Sequence, residues 1–452
     1  GNHAAELAVI AGSDMDMESS LYVSQLVSLV KSGKVDVEII NDAVRRILRV
    51  KYELGLFKDP YKYCNKERSD SELASDENMS VALDAAKKSI VLLKNNNQLL
   101  PLEKEGEKIA IIGPLANDKN SPLGNWRSQA VYNSATSVVE AMYKYNGNKT
   151  IFEKGVDLYY GKTNFHNRVK INYDDRSGFS KAKFAAANSD VVIMVLGEEG
   201  NQSGEGRSRT NIGLPGLQLE LLKEISKVNN NIVLVVMSGR PLDLTWEDEN
   251  IPAIVQAWQL GSRSGDAIAQ VLYGDYNPSG KLTMSFPRNV GQVPVYYNFK
   301  NTGRPSTSIE QVTNSGYADV ENSPLYSFGY GLSYTEFKYS DFEISSSTMT
   351  KDSKINASIR VTNTGKFKGE EVVQLYLRDI VGSIARPMKE LKGFKKIELN
   401  PGESKIVNFE IENSLLEFYS YNNIWESEPG KFHVFIGTDS NVKDYKEFYL
   451  TD

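Results

Sequence analysis

At 452 residues the chain is too long for one ordinary hydrophobic core and fits two or three domains. Its composition is globular, with 40% hydrophobic and 24% charged residues, and a net charge of -6 without a lysine/arginine cluster excludes nucleic acid binding as its main business. The single cysteine, Cys64, excludes an internal disulfide and a cysteine-based metal cage, and no apolar run reaches the roughly 18 to 20 residues of a membrane span.

In chain order, residues 1–11 read as a helix already in progress, with no initiator methionine and no signal-peptide pattern, so the sequence is expected to be part of something longer. Asp14-Met15-Asp16-Met17 alternates, placing the methionines on one side and the aspartates on the other. Paired methionines usually fill a core. Amphipathic helices are expected over 20–31 and 36–54, with Gly55 as a stop. Helix, strand and helix make one unit of an α/β barrel or sheet, and about sixty such residues bury little by themselves.

Residues 58–78 are polar and read as a linker, followed by a helix over 77–88. From 90 to 298, short apolar strands (90–93, 108–113, 191–196, 232–238, 253–257) alternate with helices (137–145, 179–187, 217–228, 265–273). That order predicts a largely parallel sheet covered on both faces. Beyond Leu332 the texture becomes all-β, with strands expected over 354–362, 371–378, 404–411 and 431–437 and turns at Asn363-Thr364-Gly365 and Asn400-Pro401-Gly402. A β-sandwich of the immunoglobulin or fibronectin type is expected there.

The run over 191–196 has no polar break, as a strand buried on both faces requires, and a polar loop follows where α/β sheets place their ligands. Residues 197–211 contain four glycines, three carboxylates, two arginines and no aliphatic side chain. Glu205, between Gly204 and Gly206, is the candidate working carboxyl group; the alternative is a solvated loop carboxylate. Glu198 and Glu199 are adjacent, point opposite ways in an extended segment, and read as structural or solvated. A dinucleotide fingerprint fails because Arg209 stands where the third glycine belongs, and Pro114 stands where a phosphate-cradling amide would be wanted. Three scattered histidines, His3, His166 and His433, argue against a Ser/His/Asp site or a histidine metal site, so neither a cofactor nor a metal is expected. Trp126, in Leu123-Gly124-Asn125-Trp126, is either a sugar-stacking platform or a plug at a domain interface.

Several motifs carry a resemblance. Ala11-Gly12-Ser13-Asp14-Met15-Asp16-Met17, then Asp42-Ala43-Val44-Arg45-Arg46-Ile47-Leu48-Arg49-Val50-Lys51 and Gly55-Leu56-Phe57, closely resemble the last unit of the catalytic barrel in family-3 glycoside hydrolases. The likeness continues through Ser89-Ile90-Val91-Leu92-Leu93-Lys94-Asn95, Gly274-Asp275-Tyr276-Asn277-Pro278-Ser279-Gly280-Lys281-Leu282, Ser285-Phe286-Pro287-Arg288, residues 324–334 and Pro429-Gly430-Lys431-Phe432. The subgroup it most resembles is the bacterial periplasmic β-glucosidases.

The resemblance implies a (β/α)8-type barrel remnant over 1–63, a linker over 64–88, an α/β/α sandwich domain with a mostly parallel sheet over 89–300, a connecting segment over 301–334 and a fibronectin type III-like β-sandwich over 335–452. It further implies a retaining β-glucosidase acting on terminal β-D-glucosyl residues of oligosaccharides, with a β-xylosidase as the alternative glycone choice. Ser203-Gly204-Glu205-Gly206 matches the family's acid/base motif, so Glu205 inherits that role, while Met15, Met17 and Trp126 are candidate substrate-binding residues. The nucleophile motif is expected upstream of these residues, in a barrel portion that would be this chain's partner, so the chain alone is expected to be inactive. A non-catalytic carbohydrate-binding or scaffolding fragment is the alternative. The resemblance implies a periplasmic or secreted location and leaves room for a homodimer.

Overall fold

A computed structural model describes residues 1–127, 129–146, 149–306, 310–311 and 313–452, and the chain divides into two units, Gly1–Asn78 and Met79–Asp452. The first unit is helical: α1 (Asn2–Ile10), α2 (Leu21–Lys31), α3 (Val37–Glu53) and α4 (Lys66–Glu72), the last lying inside the segment read as linker. Its core is small, built on Ala5, Val9, Leu29 and Val35. Leu7, Ile10, Val23 and Val27 remain exposed.

The alternating segment 14–17 forms no strand, because a strand needs a neighbour to complete its backbone hydrogen bonds and none is present among the described residues of this unit. Its aspartates are used locally instead. Asp14 takes a bidentate pair of bonds from Arg46, at 2.8 and 2.6 Å. Asp16 accepts the Ser19 hydroxyl at 2.8 Å and the backbone N–H groups of Leu21 and Tyr22 at 2.7 and 3.2 Å, filling the start of α2, where four N–H groups lack intrahelical partners. These bonds, the Ser19 hydroxyl first, pull the Asp16 carboxyl down to about 2.

The second unit begins within α5 (Asp76–Ser89) and continues into a six-stranded sheet made of β1 (Val91–Asn95), β2 (Ile109–Ile112), β3 (Thr150–Glu153), β4 (Val191–Gly197), β5 (Ile232–Met237) and β6 (Ala253–Gln256). Their order is β1-β6-β5-β4-β2-β3, parallel throughout except that β1 runs antiparallel to β6. β4 explains why its sequence is unbroken by polar residues. Val191, Ile193 and Val195 enter the core beneath α6 (Val138–Asn146) and α10 (Ser264–Leu272). Val192, Met194 and Leu196 enter the opposite core, beneath α7 (Phe179–Ala187) and α8 (Gln218–Ser226). A short helix, α9 (Thr245–Asn250), connects β5 to β6.

The C-terminal region is all-β: β7 (Phe337–Ile344), β8 (Thr348–Thr350), β9 (Ile355–Asn363), β10 (Gly369–Asp379), β11 (Glu390–Leu399), β12 (Ser404–Ile411), β13 (Phe418–Tyr419), β14 (Trp425–Glu426), β15 (Gly430–Gly437) and β16 (Tyr445–Thr451). Sheets β11-β10-β15-β16-β8 and β12-β9-β7 enclose one apolar core that includes Ile355, Val373, Phe409, Phe432 and Phe448.

The joint between the two sheet regions is polar and built from one short stretch. Tyr276 and Ser279 donate to Glu370 at 2.9 and 3.1 Å, and Asn277 donates to the Lys368 carbonyl at 3.0 Å. The Lys281 ammonium lies 3.2 Å from the Glu371 carboxylate, which also accepts the Tyr339 hydroxyl and has a side chain only 3% exposed. A Cβ on Gly280 would stand 2.2 Å from the Ile90 carbonyl oxygen, so the backbone there needs glycine. Lys281→Met strands the Glu371 charge in a buried site and is expected to cost about 3 kcal/mol in urea unfolding. Adding Glu371→Gln should restore part of that loss; additive losses would show that the pair is not coupled.

Glu247 in α9 is 2% exposed, its Oε1 has no hydrogen-bond partner among the described residues, and burial pushes its carboxyl up to about 7. The folded state therefore holds this proton more tightly than the unfolded chain. Its stability contribution is full below the unfolded pKa of 4.5 and is lost as pH rises through about 7. Relative to Glu247→Gln, the native protein should lose on the order of 3 kcal/mol between pH 4 and pH 8. Parallel stability–pH curves for the two proteins would refute this.

Candidate active site

Gly197 ends β4 in a conformation only glycine tolerates, with φ +141° and the Met237 carbonyl oxygen 1.8 Å from where a Cβ would stand. The two glutamates that follow are both buried. Glu198, with no exposed side-chain surface, holds Arg209 Nη1 at 2.6 Å and Arg240 Nε at 3.1 Å. Arg240 then donates through Nη2 to the carbonyls of Gln202 and Arg207, the latter at 2.9 Å, and Arg209 donates to the Gly213 carbonyl at 3.2 Å. A single carboxylate thus fixes two guanidinium groups, and these fix the loop backbone on either side of residues 203–206.

Glu199 serves the same loop differently. Its Oε2 accepts the Asn201 N–H at 2.7 Å, its Oε1 accepts the Thr163 hydroxyl at 3.0 Å, and Gln202 returns a side-chain acceptor to the Glu199 N–H at 2.8 Å. This is a capping box on a single helical turn. Burial raises the Glu199 carboxyl above its ordinary range.

Glu205 stands at the tip of the pinned loop, exposed, between Gly204 at φ +111° and Gly206 at φ +67°. Among the described residues no hydrogen bond or ion pair reaches its carboxylate. A Cβ on Gly204 would lie 2.6 Å from Asn125 Oδ1, so the loop tip rests directly on Asn125. That residue is 6% exposed, and both polar atoms of its carboxamide lack a partner among the described residues. It lines a cavity of about 580 Å³ with Trp126, Arg127, Phe165, His166 and Asn201. Trp126 is 70% exposed and meets Phe165 edge-on, with ring centroids 6.3 Å apart.

The structure therefore brings the Glu205 loop and the Trp126 loop together through Gly204 and Asn125. Met15 and Met17 belong to the first unit, 60% and 85% exposed. Arg240, Asn125 and Phe165 had not been singled out from sequence. Arg240 had a usable signal, since Ser238-Gly239-Arg240-Pro241 follows β5, the strand beside β4, at the same sheet edge. Among the described residues no group of three or more histidine, cysteine or carboxylate side chains is arranged to hold a metal ion.

An exposed carboxyl group on a rigid loop beside an aromatic-walled, polar-floored cavity is an arrangement suited to a carbohydrate-active protein. Residues 90–334 match the glycosyl hydrolase family 3 C-terminal domain, and residues 371–440 match a fibronectin type III-like domain. The chain is 44% identical to a periplasmic β-glucosidase of Salmonella typhimurium, over 97% of this chain and 59% of that protein. It is 37% identical to a β-xylosidase of Formosa agariphila, over 99% and 61% respectively. A β-glucosidase of Listeria innocua solved in complex with laminaribiose superposes with a TM-score of 0.89 at 34% identity, covering 100% of this chain and 60% of that one. The chain belongs to glycosyl hydrolase family 3, and it spans about three-fifths of the length of these relatives.

Because Arg240 joins Glu198 to both flanks of the loop, Arg240→Met should destabilise the second unit by about 3 kcal/mol. It should also raise amide hydrogen exchange over 203–208 while β4 stays protected. Unchanged exchange there would show that the loop is held by other contacts.

Proposed function

We propose that this chain contributes the proton-donor half of a retaining β-glucosidase that releases terminal non-reducing β-D-glucosyl residues from oligosaccharides. The observation that carries this reading is Glu205 itself, exposed and without a partner among the described residues at the tip of a loop whose flanks are anchored by Arg240. In the first step the Glu205 carboxyl gives its proton to the glycosidic oxygen as the bond from that oxygen to the anomeric carbon breaks. A second carboxylate attacks the anomeric carbon and forms a covalent glycosyl intermediate. In the second step the Glu205 carboxylate removes a proton from water, the water oxygen bonds to the anomeric carbon, and the second carboxylate leaves. Two inversions give net retention, and the two carboxyl groups work about 5 to 5.5 Å apart.

We assign the attacking carboxylate, an aspartate, to a barrel segment outside these 452 residues, a reading supported by the chain's three-fifths share of its relatives' length. The segment 1–63 is read as the last unit of that barrel, and the 452-residue chain alone as inactive. Trp126 offers an exposed aromatic face on which a sugar ring can stack. Met15 and Met17 are proposed as apolar substrate contacts on their own unit, by virtue of their exposure. The Formosa agariphila relative gives a second glycone, xylose, a specific claim to be tested. The name of the Salmonella typhimurium relative supports a periplasmic or secreted location.

The test compares leaving groups in the longer polypeptide containing this chain, with the 452-residue chain as control. Glu205→Gln should lower kcat/KM for a β-linked glucose disaccharide by about 10²- to 10⁴-fold. An aryl glucoside with an activated leaving group, which needs no proton, should lose far less. Equal losses on both substrates, or none, would remove Glu205 from the proton-donor role, and a higher kcat/KM for aryl xylosides would favour the xylosidase reading.

A further inference from the structure

We propose that Gln259 is a positioning residue for Glu205, tying the loop that carries this carboxyl group to the segment that carries Trp126. The proposal rests on the proton-donor reading of Glu205. It starts from a strained backbone. Trp258, just past the end of β6, has φ +49°, a left-handed conformation that a bulky side chain keeps only where its surroundings impose it. Three contacts hold it there. The Ala257 N–H donates to the Val236 carbonyl at 2.8 Å, continuing the pairing of β6 with β5. The Trp258 ring meets Phe286 edge-on, with centroids 5.9 Å apart, against the core beneath α7 and α8. Leu260 is buried in the opposite core, beneath α6 and α10. With its two neighbours committed to opposite cores, Gln259 is left to reach the loops that leave β4 and β5.

The Gln259 carboxamide stands where three segments meet. Its Nε2 donates to Ser203 Oγ at 3.2 Å, two residues before Glu205. Its Oε1 lies 2.8 Å from where a Cβ on Gly124 would stand, two residues before Trp126. Its Nε2 lies 3.3 Å from where a Cβ on Gly239 would stand, one residue before Arg240. Arg240 fixes the carbonyls of Gln202 and Arg207, and Gln259 fixes a side chain inside that span. Ser203 is buried, so removing the carboxamide strands its hydroxyl. Among the described residues Glu205 makes no side-chain bond of its own, so its position is inherited from the backbone of Ser203 and Gly204. A shift of about 1 Å in a catalytic group can cost on the order of a hundredfold in rate, which makes one such contact consequential.

The test is a double-mutant cycle of Gln259→Leu and Ser203→Ala in the longer polypeptide containing this chain. Its substrates are a β-linked glucose disaccharide and an aryl glucoside with an activated leaving group. Each single variant should lower kcat on the disaccharide about tenfold, with KM within about twofold of the native value. The aryl glucoside, which needs no proton, should lose about twofold at most. The double variant should lose no more than either single one, because both remove the same bond. Hydrogen exchange on the 452-residue chain supplies a readout free of turnover. There Gln259→Leu should raise exchange over 203–206 and 124–126 together while β6 stays protected. Additive losses in the cycle, a loss confined to KM, or unchanged exchange in both loops would overturn the proposal. So would equal losses on the two substrates where Glu205→Gln tells them apart. Failure of the proton-donor reading would look different: Glu205→Gln itself would not distinguish the substrates, while the exchange response to Gln259→Leu persisted.

Discussion

The Glu198 carboxylate, wholly removed from solvent between Arg209 and Arg240, is the constraint on which the candidate site depends. A buried charge without partners is expensive, and its attraction to a single cation seldom repays the desolvation. Here two guanidinium groups share the carboxylate, and each also donates to carbonyls of the loop backbone. Electrostatic necessity at the end of β4 is thereby converted into backbone order ten residues further along. The loop can then present an exposed carboxyl group without relying on bonds to that group.

Close approach of backbones supplies the second layer of order. Gly239 leaves only 2.1 Å between a hypothetical Cβ and Ser203 Oγ, and Gly204 leaves 2.6 Å to Asn125 Oδ1. The loop is wedged between the end of β5 and the 124–127 segment, and it meets each where a side chain is missing. Precision at Glu205 thus comes from charge pairing beneath it and from absent atoms beside it.

Much of this was legible because burial on both faces leaves a plain signature. The runs that became β4 and β5 carry no polar residue, and the helices over 137–145 and 179–187 repeat their apolar side chains at helical spacing. The antiparallel sense of β1 was not legible, since strand direction depends on a partner, β6, more than 150 residues away. β3 is four residues long and only partly buried, and β11 carries lysines and glutamates along an open face, so neither shows a clean alternation. At the site, Glu205 announced itself through its flanking glycines. Arg240 and Asn125 did not, because their roles exist only across 42 residues in one case and against a glycine 79 positions away in the other.

The polar joint around Tyr276, Asn277, Ser279 and Lys281 has a bearing on how such proteins are recognised at all. These side chains touch no candidate substrate group; they bolt a sandwich to a sheet. Yet they lie within the stretch that matches the family's C-terminal domain. A descendant that lost Glu205 but kept this joint would still fold, and would still be recognised as kin. Ancestry in this architecture is written in its carpentry, and chemistry has to be read separately.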